Sequence, residues 1–377
     1  FLYGQGDNDT LIGGRGNDLI DGGEGNDTVD YKDTVDFTST IGVTVDLSQA
    51  GYNDGTTAQT VSSELGDDTL NSIENINGTN FADILIGDSN ANIINGRAGN
   101  DEITGNGGAD VLSGEEGDDT FKGSTFTSST IDGGVNTSAG DTVDYSSLAS
   151  TSEIDLKLED TGFADVEING IVDHKIANIE NITGGAGNDI IEGNSSNNIL
   201  DGHTGTDTIS FANSANSVYV NLGDAISNVD IDGDEDVDIT EDDINAQTAR
   251  GSDIGTDTIS NFENILGGKG SDTLVGNSGD NTIDGSTGDD ILVGGEGSDE
   301  LIGGSGNNTV SYATDTAGIN VSLEQGTGTD GYSNTDTYTD IDNVLGSTSD
   351  DTIEGDGGNN ILDAAGGNDT LTYENSN

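Results

Sequence analysis

The chain has 377 residues, of which 60 are glycine, and it contains no proline, cysteine, methionine or tryptophan. Its 73 acidic and 8 basic residues give a formal net charge of −65, which argues against nucleic acid or an anionic membrane surface as a partner. No apolar run reaches membrane-spanning length, and the absence of cysteine excludes disulfides and thiolate-metal sites.

Such a charge with 30% hydrophobic residues is typical of disordered proteins. The acids are not scattered, however, because they recur together with the glycines. We therefore expect disorder only while no cation neutralises them.

The chain alternates between five glycine-rich blocks and four less regular inserts. The blocks cover residues 4–30, 78–144, 184–210, 267–311 and 346–372, and the inserts cover residues 31–77, 145–183, 211–266 and 312–345. Within a block glycine recurs every nine residues, with Asp or Asn at position six and a large aliphatic residue at position eight, as in Gly267, Asp272 and Leu274. Self-similarity at a short fixed period predicts a solenoid.

The first block shows how each nonapeptide should fold. Six of its positions are turn-formers, and the last three predict a short strand whose middle residue points inward. Leu11, Ile20 and Val29 are these inward residues. The first repeat departs from the pattern, since Gln5 and Asp7 replace glycines.

The later blocks repeat this arrangement, although the register loosens over residues 123–144. Position six reads Asp83, Asn92, Asp101, Asp110 and Asp119 in the second block, Asp189, Asn198 and Asp207 in the third, Asp272, Asn281, Asp290, Asp299 and Asn308 in the fourth, and Asp351, Asn360 and Asp369 in the fifth.

The inserts share one plan. Each follows a strand that exits on an aromatic residue, interpreted as core or cap: Tyr31, Tyr145, Phe211 and Tyr312. Alternating strands are predicted at residues 42–47, 153–158, 217–222 and 318–323. The closing phrases SIENING, NIENITG, NFENILG and DIDNVLG place an aliphatic nine residues before the next core aliphatic. We therefore expect the inserts to be coils with long edge loops, and residues 1–377 to form one continuous solenoid.

The nonapeptide resembles the hemolysin-type calcium-binding repeat of the repeats-in-toxin (RTX) family. The resemblance implies an all-β fold, a right-handed parallel β-roll or β-solenoid, in which two nonapeptides form one coil. It also implies several Ca²⁺ ions between turns eighteen residues apart, and carboxylates and turn carbonyls are the hard oxygen ligands that Ca²⁺ prefers. The candidate metal ligands are Asp9, Asp18, Asp27, Asp83, Asp101, Asp110, Asp119, Asp189, Asp207, Asp272, Asp290, Asp299, Asp351 and Asp369.

The two edges of the roll should differ in calcium binding. After each insert position six reads Asp and then Asn, and the Asn turn has no regular partner eighteen residues earlier. Weaker or missing calcium is expected at these Asn turns. The strongest sites should join Asp9 to Asp27, Asp83 to Asp101, Asp101 to Asp119, Asp189 to Asp207, Asp272 to Asp290, and Asp351 to Asp369.

A separate acidic loop at residues 230–241 resembles an EF-hand or dockerin calcium loop. Position six of the loop carries Glu235 instead of the usual glycine, and no clear helix precedes it. A solvated acidic loop is the alternative. The candidate ligands here are Asp230, Asp232, Asp234, Asp236 and Glu241.

No catalytic constellation stands out, so enzymatic activity is not expected. His174 lies in an insert without a placed partner, and His203 occupies a variable turn position. A third possibility is an array that binds its own ligand, such as ice or a glycan, on the insert loops. Ice binding would need a regular threonine row, which is absent because the seventh positions read Ile84, Ile93 and Glu102.

The family resemblance leaves two main functions open. The first is a calcium-rigidified structural segment of a secreted bacterial surface protein, such as an S-layer, sheath fibre or adhesin. The alternative is a calcium-folded accessory domain of a type I-secreted enzyme or toxin. An apolar start at residues 1–3 and an exit aromatic at Tyr373 suggest a piece of a longer array, with further copies or modules as end-to-end partners.

Overall fold

The computed structural model describes residues 1–32, 42–48, 66–123, 125–223 and 246–374. The regular elements in these ranges are β-strands, most of them three residues long. No helix in the described part of the chain is long and apolar enough to cross a membrane. The chain packs as two compact units, Phe1–Gly187 and Asn188–Asn377. The prediction of one continuous solenoid over residues 1–377 stays a prediction.

The first unit is built from short strands separated by tight turns. These are β1 Leu2–Gly6, β2 Thr10–Leu11, β3 Leu19–Glu24, β4 Thr28–Asp30, β5 Thr44–Asp46, β6 Thr69–Asn71, β7 Asn75–Asn77, β8 Ile84–Ile86, β9 Ile93–Ala98, β10 Glu102–Thr104, β11 Val111–Glu116, β12 Thr120–Lys122, β13 Thr130–Val135, β14 Thr142–Asp144, β15 Ile154–Lys157, β16 Ala164–Ile168, β17 Ile171–Ala177 and β18 Asn181–Thr183.

Parallel pairing between coils organises this unit. Strands pair in the orders β1-β3-β6, β5-β8-β10-β12-β14-β18 and β2-β4-β7-β9-β11-β13-β17. Only β16 runs against its neighbours, β15 and β17, in the insert at residues 145–183.

The second unit repeats this construction. Its strands are β19 Ile190–Glu192, β20 Ile199–Asp201, β21 Thr208–Ser210, β22 Val218–Asn221, β23 Thr248–Gly251, β24 Gly255–Ser260, β25 Asn264–Leu266, β26 Thr273–Val275, β27 Thr282–Asp284, β28 Ile291–Val293, β29 Glu300–Ile302, β30 Thr309–Ser311, β31 Asn320–Ser322, β32 Thr327–Thr329, β33 Thr335–Thr339, β34 Asn343–Leu345, β35 Thr352–Glu354, β36 Leu362–Asp363 and β37 Thr370–Thr372.

Two sheets run through the second unit, each interrupted by one antiparallel strand. Their orders are β20-β24-β23-β22-β26-β28-β30-β34-β36 and β19-β21-β25-β27-β29-β33-β32-β31-β35-β37, with β23 and β32 antiparallel. The all-β parallel solenoid predicted from the repeats is thereby confirmed.

The core is a column of mostly aliphatic side chains, one from each nonapeptide and therefore two from each coil. Strand side chains alternate between two faces, so the middle residue of each three-residue strand points inward. Leu85, Ile94 and Ile103 are fully buried, and so are Leu274 and Ile283. Each such side chain contributes roughly 1.5–3 kcal/mol relative to an exposed one.

The inserts re-enter this column in register. Ile76 of the first closing phrase pairs with Val29 on one side and Ile94 on the other, and Ile265 lies likewise between Ile209 and Ile283. The exit aromatics Tyr31, Tyr145, Phe211 and Tyr312 are buried, as predicted. The antiparallel strands inside the inserts were not predicted.

Close stacking of the turns demands glycine at position four. Gly117 has a φ of 153°, and a Cβ there would lie 1.7 Å from the carbonyl oxygen of Gly99 in the preceding coil. Left-handed backbone of this kind is accessible to glycine at low cost. The first repeat keeps the same turn despite its departures, because Gln5 and Asp7 adopt φ values of 82° and 71°.

Candidate metal centre

The position-six aspartates form ladders along the edges of each unit. Eleven of the predicted ligands are almost fully buried, and Asp9, Asp18 and Asp369 are half-buried. Burial places carboxylates where water no longer solvates them, which is costly unless each oxygen has a partner. The two oxygens of each carboxylate therefore have to be accounted for separately.

One oxygen of most of these carboxylates accepts a hydrogen bond from the coil before it. Asp101 Oδ1, for example, accepts the backbone N–H of Asp83 at 2.8 Å, and Asp119 Oδ1 accepts that of Asp101 at 2.8 Å. All six pairs that the sequence selected as the strongest sites are joined in this way, at 2.8–2.9 Å.

The second oxygen of most ladder carboxylates has no donor. In the described residues the buried Oδ2 atoms without a hydrogen-bond partner include those of Asp9, Asp27, Asp101, Asp110, Asp119, Asp207, Asp290 and Asp299. Native proteins rarely leave buried polar atoms unsatisfied, so each such atom calls for an explanation such as a bound ion.

Burial also shifts the acidity of the ladder. It raises the pKa of Asp101, Asp207 and Asp290 to about 7, with further contributions from neighbouring aspartates. For Asp83 and Asp272 burial raises the pKa to about 6. A nearby cation would restore the ionised form, because an opposite charge favours a carboxylate over its neutral acid.

The unpaired oxygens face a cradle above the position-one glycine. A Cβ on Gly96 would lie 2.1 Å from Asp101 Oδ2 and 3.1 Å from the carbonyl oxygen of Gly114 in the next coil. A Cβ on Gly4 would lie 2.5 Å from both Asp9 Oδ2 and the Gly22 carbonyl oxygen. Carboxylate and carbonyl oxygens of two adjacent coils thus converge where only glycine leaves space.

This donor set fits Ca²⁺. Among the described residues no three acidic or histidine side chains form a ready-made metal cluster. Backbone carbonyls must therefore supply much of the coordination, and Ca²⁺ accepts six to eight carboxylate, carbonyl and water oxygens in flexible geometry. The position-six aspartates would hold the ion, which would neutralise their buried charge and tie one coil to the next.

At three Asn turns a side-chain amide donates to a carbonyl of the preceding coil. The Nδ2 atoms of Asn92, Asn281 and Asn360 donate to the carbonyl oxygens of Glu74, Glu263 and Asp342 at 2.6, 2.7 and 2.9 Å. An N–H donor and a cation compete for the same carbonyl oxygen. This contact gives a physical reason for the weaker calcium binding predicted at these turns.

The closing phrases contribute ladder acids that sequence reasoning missed. Glu74, Glu180, Glu263 and Asp342 accept the position-six N–H groups of Asp27, Asp141, Asp207 and Asn308 at 2.7–2.9 Å. Each lies two residues before a core aliphatic, which is the spacing of position six to position eight. That spacing is the signal that could have found them.

Three further acids with the same spacing lie in the inserts. Asp68, Asp257 and Asp336 accept the backbone N–H groups of Asp18, Asn198 and Asp299 at 2.9, 2.9 and 3.1 Å. Asp141, just beyond the regular part of the second block, accepts that of Asp119 at 2.7 Å. These ladders are therefore longer than the regular repeats.

His174 occupies the corresponding position of its insert, and its surroundings correct the sequence interpretation. It has partners: Tyr145 Oη lies 2.8 Å from Nε2, and Asp173 Oδ2 lies 3.1 Å from Nδ1. Burial lowers the pKa of His174, so the imidazole is neutral in this packing. His203 lies in a turn with a φ of 70°, in agreement with a turn residue.

The acidic loop lies outside the described residues, together with its candidate ligands Asp230, Asp232, Asp234, Asp236 and Glu241. Calcium binding by this loop therefore stays a prediction.

Comparison with known families identifies the repeats. The profile of the RTX calcium-binding nonapeptide repeat, which comprises four copies, matches residues 1–36, 68–103, 86–121, 177–209, 261–292, 275–310 and 336–371. The search of curated proteins returns no match. Together the matched ranges cover more than half of the chain, which therefore belongs to the family of RTX calcium-binding nonapeptide repeat proteins.

Proposed function

We propose that this chain is a calcium-stabilised structural segment of a secreted bacterial surface protein, such as an S-layer, a sheath fibre or an adhesin, and that it is not an enzyme. The observation that carries the proposal is the row of buried, donor-free carboxylate oxygens in each unit. Each coil that carries such an oxygen needs a cation to satisfy it.

Folding and calcium binding should therefore be one event. The cradles form only when adjacent coils stack, so an unfolded chain offers no equivalent site, and a ligand that binds only the folded state stabilises it by mass action. The formal charge of −65 opposes compaction until ions bind. An extracellular location fits this requirement, because calcium is plentiful there and no cysteine is needed for stability.

Circular dichroism during a calcium titration tests this part of the proposal. We expect a chelator-treated chain to lack a β spectrum and to gain it cooperatively in millimolar Ca²⁺. Mg²⁺ should not substitute, since it demands compact octahedral geometry and retains its waters. A full β spectrum in excess chelator would contradict the proposal.

Electron microscopy of the full-length, calcium-loaded protein tests the structural role. The proposal predicts fibres or lattices built by end-to-end association with further copies or modules. Isolated particles that carry a hydrolase or toxin activity would instead support an accessory domain of a type I-secreted enzyme or toxin.

A further inference from the structure

Just before its closing phrase, each insert contains a partial repeat that lacks the first three of the nine residues. These segments are GDDTLN at 66–71, VDHKIA at 172–177, GTDTIS at 255–260 and NTDTYT at 334–339. The third is identical to GTDTIS at 205–210, the end of a regular nonapeptide. Asp68, Asp257 and Asp336 hold position six of such a partial repeat. These partial repeats lack the position-one glycine that forms the cradle in a regular repeat.

Asp257 keeps the features of a ladder carboxylate without that turn. It is 1% exposed, its Oδ1 accepts the Asn198 N–H at 2.9 Å, and its Oδ2 has no hydrogen-bond partner. The two stacked segments are held together further by Thr256, whose N–H donates to Asn197 Oδ1 at 3.0 Å. The Oδ2 atom of Asp257 is thus held in a buried position without a hydrogen-bond donor.

The glycine cradle that faces Asp257 Oδ2 belongs to the previous coil, at Gly193. A Cβ on Gly193 would lie 2.6 Å from Asn198 Oδ1 and 3.4 Å from Asp257 Oδ2. A regular cradle, over Gly96, likewise lies between one side-chain oxygen of its own turn and one oxygen of the next coil. At Gly193 the second oxygen comes from a carboxylate rather than from a carbonyl, which adds negative charge.

Asp68, the corresponding acid of the first unit, differs from Asp257. It is 1% exposed and its Oδ1 accepts the Asp18 N–H at 2.9 Å. Its carboxylate also has a side-chain hydrogen bond with Tyr31, the exit aromatic of its insert. Asp68 is therefore partnered by an exit tyrosine, and among these three insert acids the donor-free oxygen is particular to Asp257.

The fourth insert provides an internal control, because its carboxylate is already satisfied. The Tyr312 hydroxyl donates to Asp336 Oδ2 at 2.7 Å, and Asp336 Oδ1 accepts the Asp299 N–H at 3.1 Å. The same tyrosine hydroxyl contacts that of Tyr338. Both oxygens of Asp336 have donors, whereas residue 211, the exit aromatic before Asp257, is phenylalanine and has no hydroxyl.

We propose that Asp257 completes a further Ca²⁺ site outside the regular repeats, in which Asn198 supplies the second side-chain oxygen. Asp336 completes no site, since the exit tyrosine replaces the ion. The inference rests on the calcium-dependent folding proposed above and adds a ligand that lies in an insert.

Ion counting on the complete chain tests the proposal. Asp257→Asn and the matched control Asp336→Asn are each dialysed against calcium, and bound calcium per chain is measured by elemental analysis. We expect one ion fewer for Asp257→Asn and an unchanged count for Asp336→Asn. Circular dichroism confirms that each variant is folded when it is counted.

The outcomes separate this inference from the proposed function. If the parent chain neither folds with calcium nor binds it, the proposed function fails. If the parent folds and binds calcium but Asp257→Asn keeps the parental count, only the inference fails. Should a variant not fold, anomalous diffraction from crystals of the calcium-loaded parent decides, because missing density over Gly193 overturns the proposal.

Discussion

A single aspartate at position six serves two coils at once. Asp101 Oδ1 accepts the N–H of Asp83 at 2.8 Å, while its Oδ2 has no donor among the described residues. Replacing Asp101 by Asn keeps an acceptor for the N–H group but removes the charged oxygen. The hydrogen-bonding and ion-binding roles of this side chain can therefore be separated.

We expect Asp101→Asn to raise the calcium concentration at the folding midpoint and to lower stability in saturating calcium. The loss should be about 1–3 kcal/mol, the range for leaving a buried polar group without its partner. Calcium titrations followed by circular dichroism measure both effects. Asp155→Asn is the control, because Asp155 is exposed. Equal midpoints for the two variants would contradict an ion at Asp101.

The buried ladder also predicts a dependence on pH. Burial raises the pKa of Asp101, Asp207 and Asp290 from 3.8 to about 7 in the metal-free fold. The folded chain then binds protons more tightly than the unfolded chain, so its stability without calcium falls as pH rises between these values. Protons and calcium compete for the same oxygens.

Acidification from about pH 7 to about pH 5 should therefore increase the β signal of the chelator-treated chain, because unfolding then requires proton release. Over the same interval the calcium needed to fold the chain should rise. Circular dichroism at fixed pH steps checks both trends. A calcium midpoint that does not change with pH would show that these carboxylates are not ligands.

At the scale of residues the sequence predicts the regular aspartates but not their partners. Position six of every regular repeat lies on a ladder, as the nine-residue period requires. The insert acids Asp68, Asp257 and Asp336 were missed because the turn that marks a repeat is incomplete there. The Tyr145–His174 contact joins residues 29 apart in the sequence, and no local pattern encodes it.

The adjacent glycines Gly107 and Gly108 differ in whether a Cβ atom would fit. Gly108 has a φ of 116°, and a Cβ there would lie 2.4 Å from the Asn90 carbonyl oxygen of the coil below. At Gly107 the nearest atom would be 3.7 Å away, an ordinary contact. The coil-to-coil distance is therefore set by one glycine of the pair.

Gly108→Ala should prevent these two turns from stacking. The strained backbone alone costs about 1–3 kcal/mol, and the clash with the carbonyl adds to it. Gly107→Ala, the matched control, should change stability by less than about 1 kcal/mol, and a gain is possible because alanine restricts the unfolded chain. Thermal unfolding in saturating calcium measures the difference. Similar losses for both would contradict a stacking role for Gly108.

One arginine joins the exit of the first block to the turns of the second. Arg97 pairs with Asp30 at 2.9 Å and donates to the Gly78 carbonyl oxygen at 2.7 Å. Both side chains are mostly buried, whereas Lys122 and Glu102 form an exposed pair at 2.8 Å. The two ion pairs should therefore differ in their contribution to stability.

Arg97→Ala should destabilise the first unit by about 1–3 kcal/mol, because it leaves buried acceptors without donors. Lys122→Ala should cost at most about 1 kcal/mol, as is usual for an exposed pair. Chemical denaturation in calcium, read by circular dichroism, compares the two variants. A larger loss for Lys122→Ala would show that burial does not control these pairs.

At the scale of elements, the nine-residue period predicts the strands of the regular repeats well. The sequences of the inserts predict their strands less completely. The alternating strands at 42–47, 153–158, 217–222 and 318–323 are present as β5, β15, β22 and β31. The antiparallel β16 was missed although Asn169-Gly170, with φ values of 54° and 71°, is a strong hairpin signal. Gly328 at the centre of β32 hides that strand from any alternation pattern.

At the scale of the whole molecule, screening and coordination can be told apart. The formal charge of −65 is distributed along the chain, and sodium chloride at about 1 M shortens the Debye length to about 3 Å. Screening weakens repulsion between exposed acids, but it provides no partner for a buried Oδ2 atom.

We therefore expect high sodium chloride with chelator to leave the chain without a β spectrum, whereas calcium at low ionic strength folds it. Circular dichroism of the same sample under the two conditions provides the comparison. Folding in sodium chloride alone would mean that general repulsion, and not the donor-free oxygens, keeps the metal-free chain unfolded.

The ladder also has a direction. The position-six N–H groups described here donate forward, to an acceptor on the following coil, and in most cases that acceptor is a carboxylate oxygen. Asp110 and Asp290 donate instead to Ser129 Oγ and Asn308 Oδ1. A stack of such coils has two chemically different faces, one offering amide donors and the other offering carboxylate acceptors. A coil or a second copy that extends the ladder must arrive head to tail, because two like faces would oppose donor to donor or charge to charge. Any filament built on this ladder is consequently polar, and its two ends must grow by different chemistry.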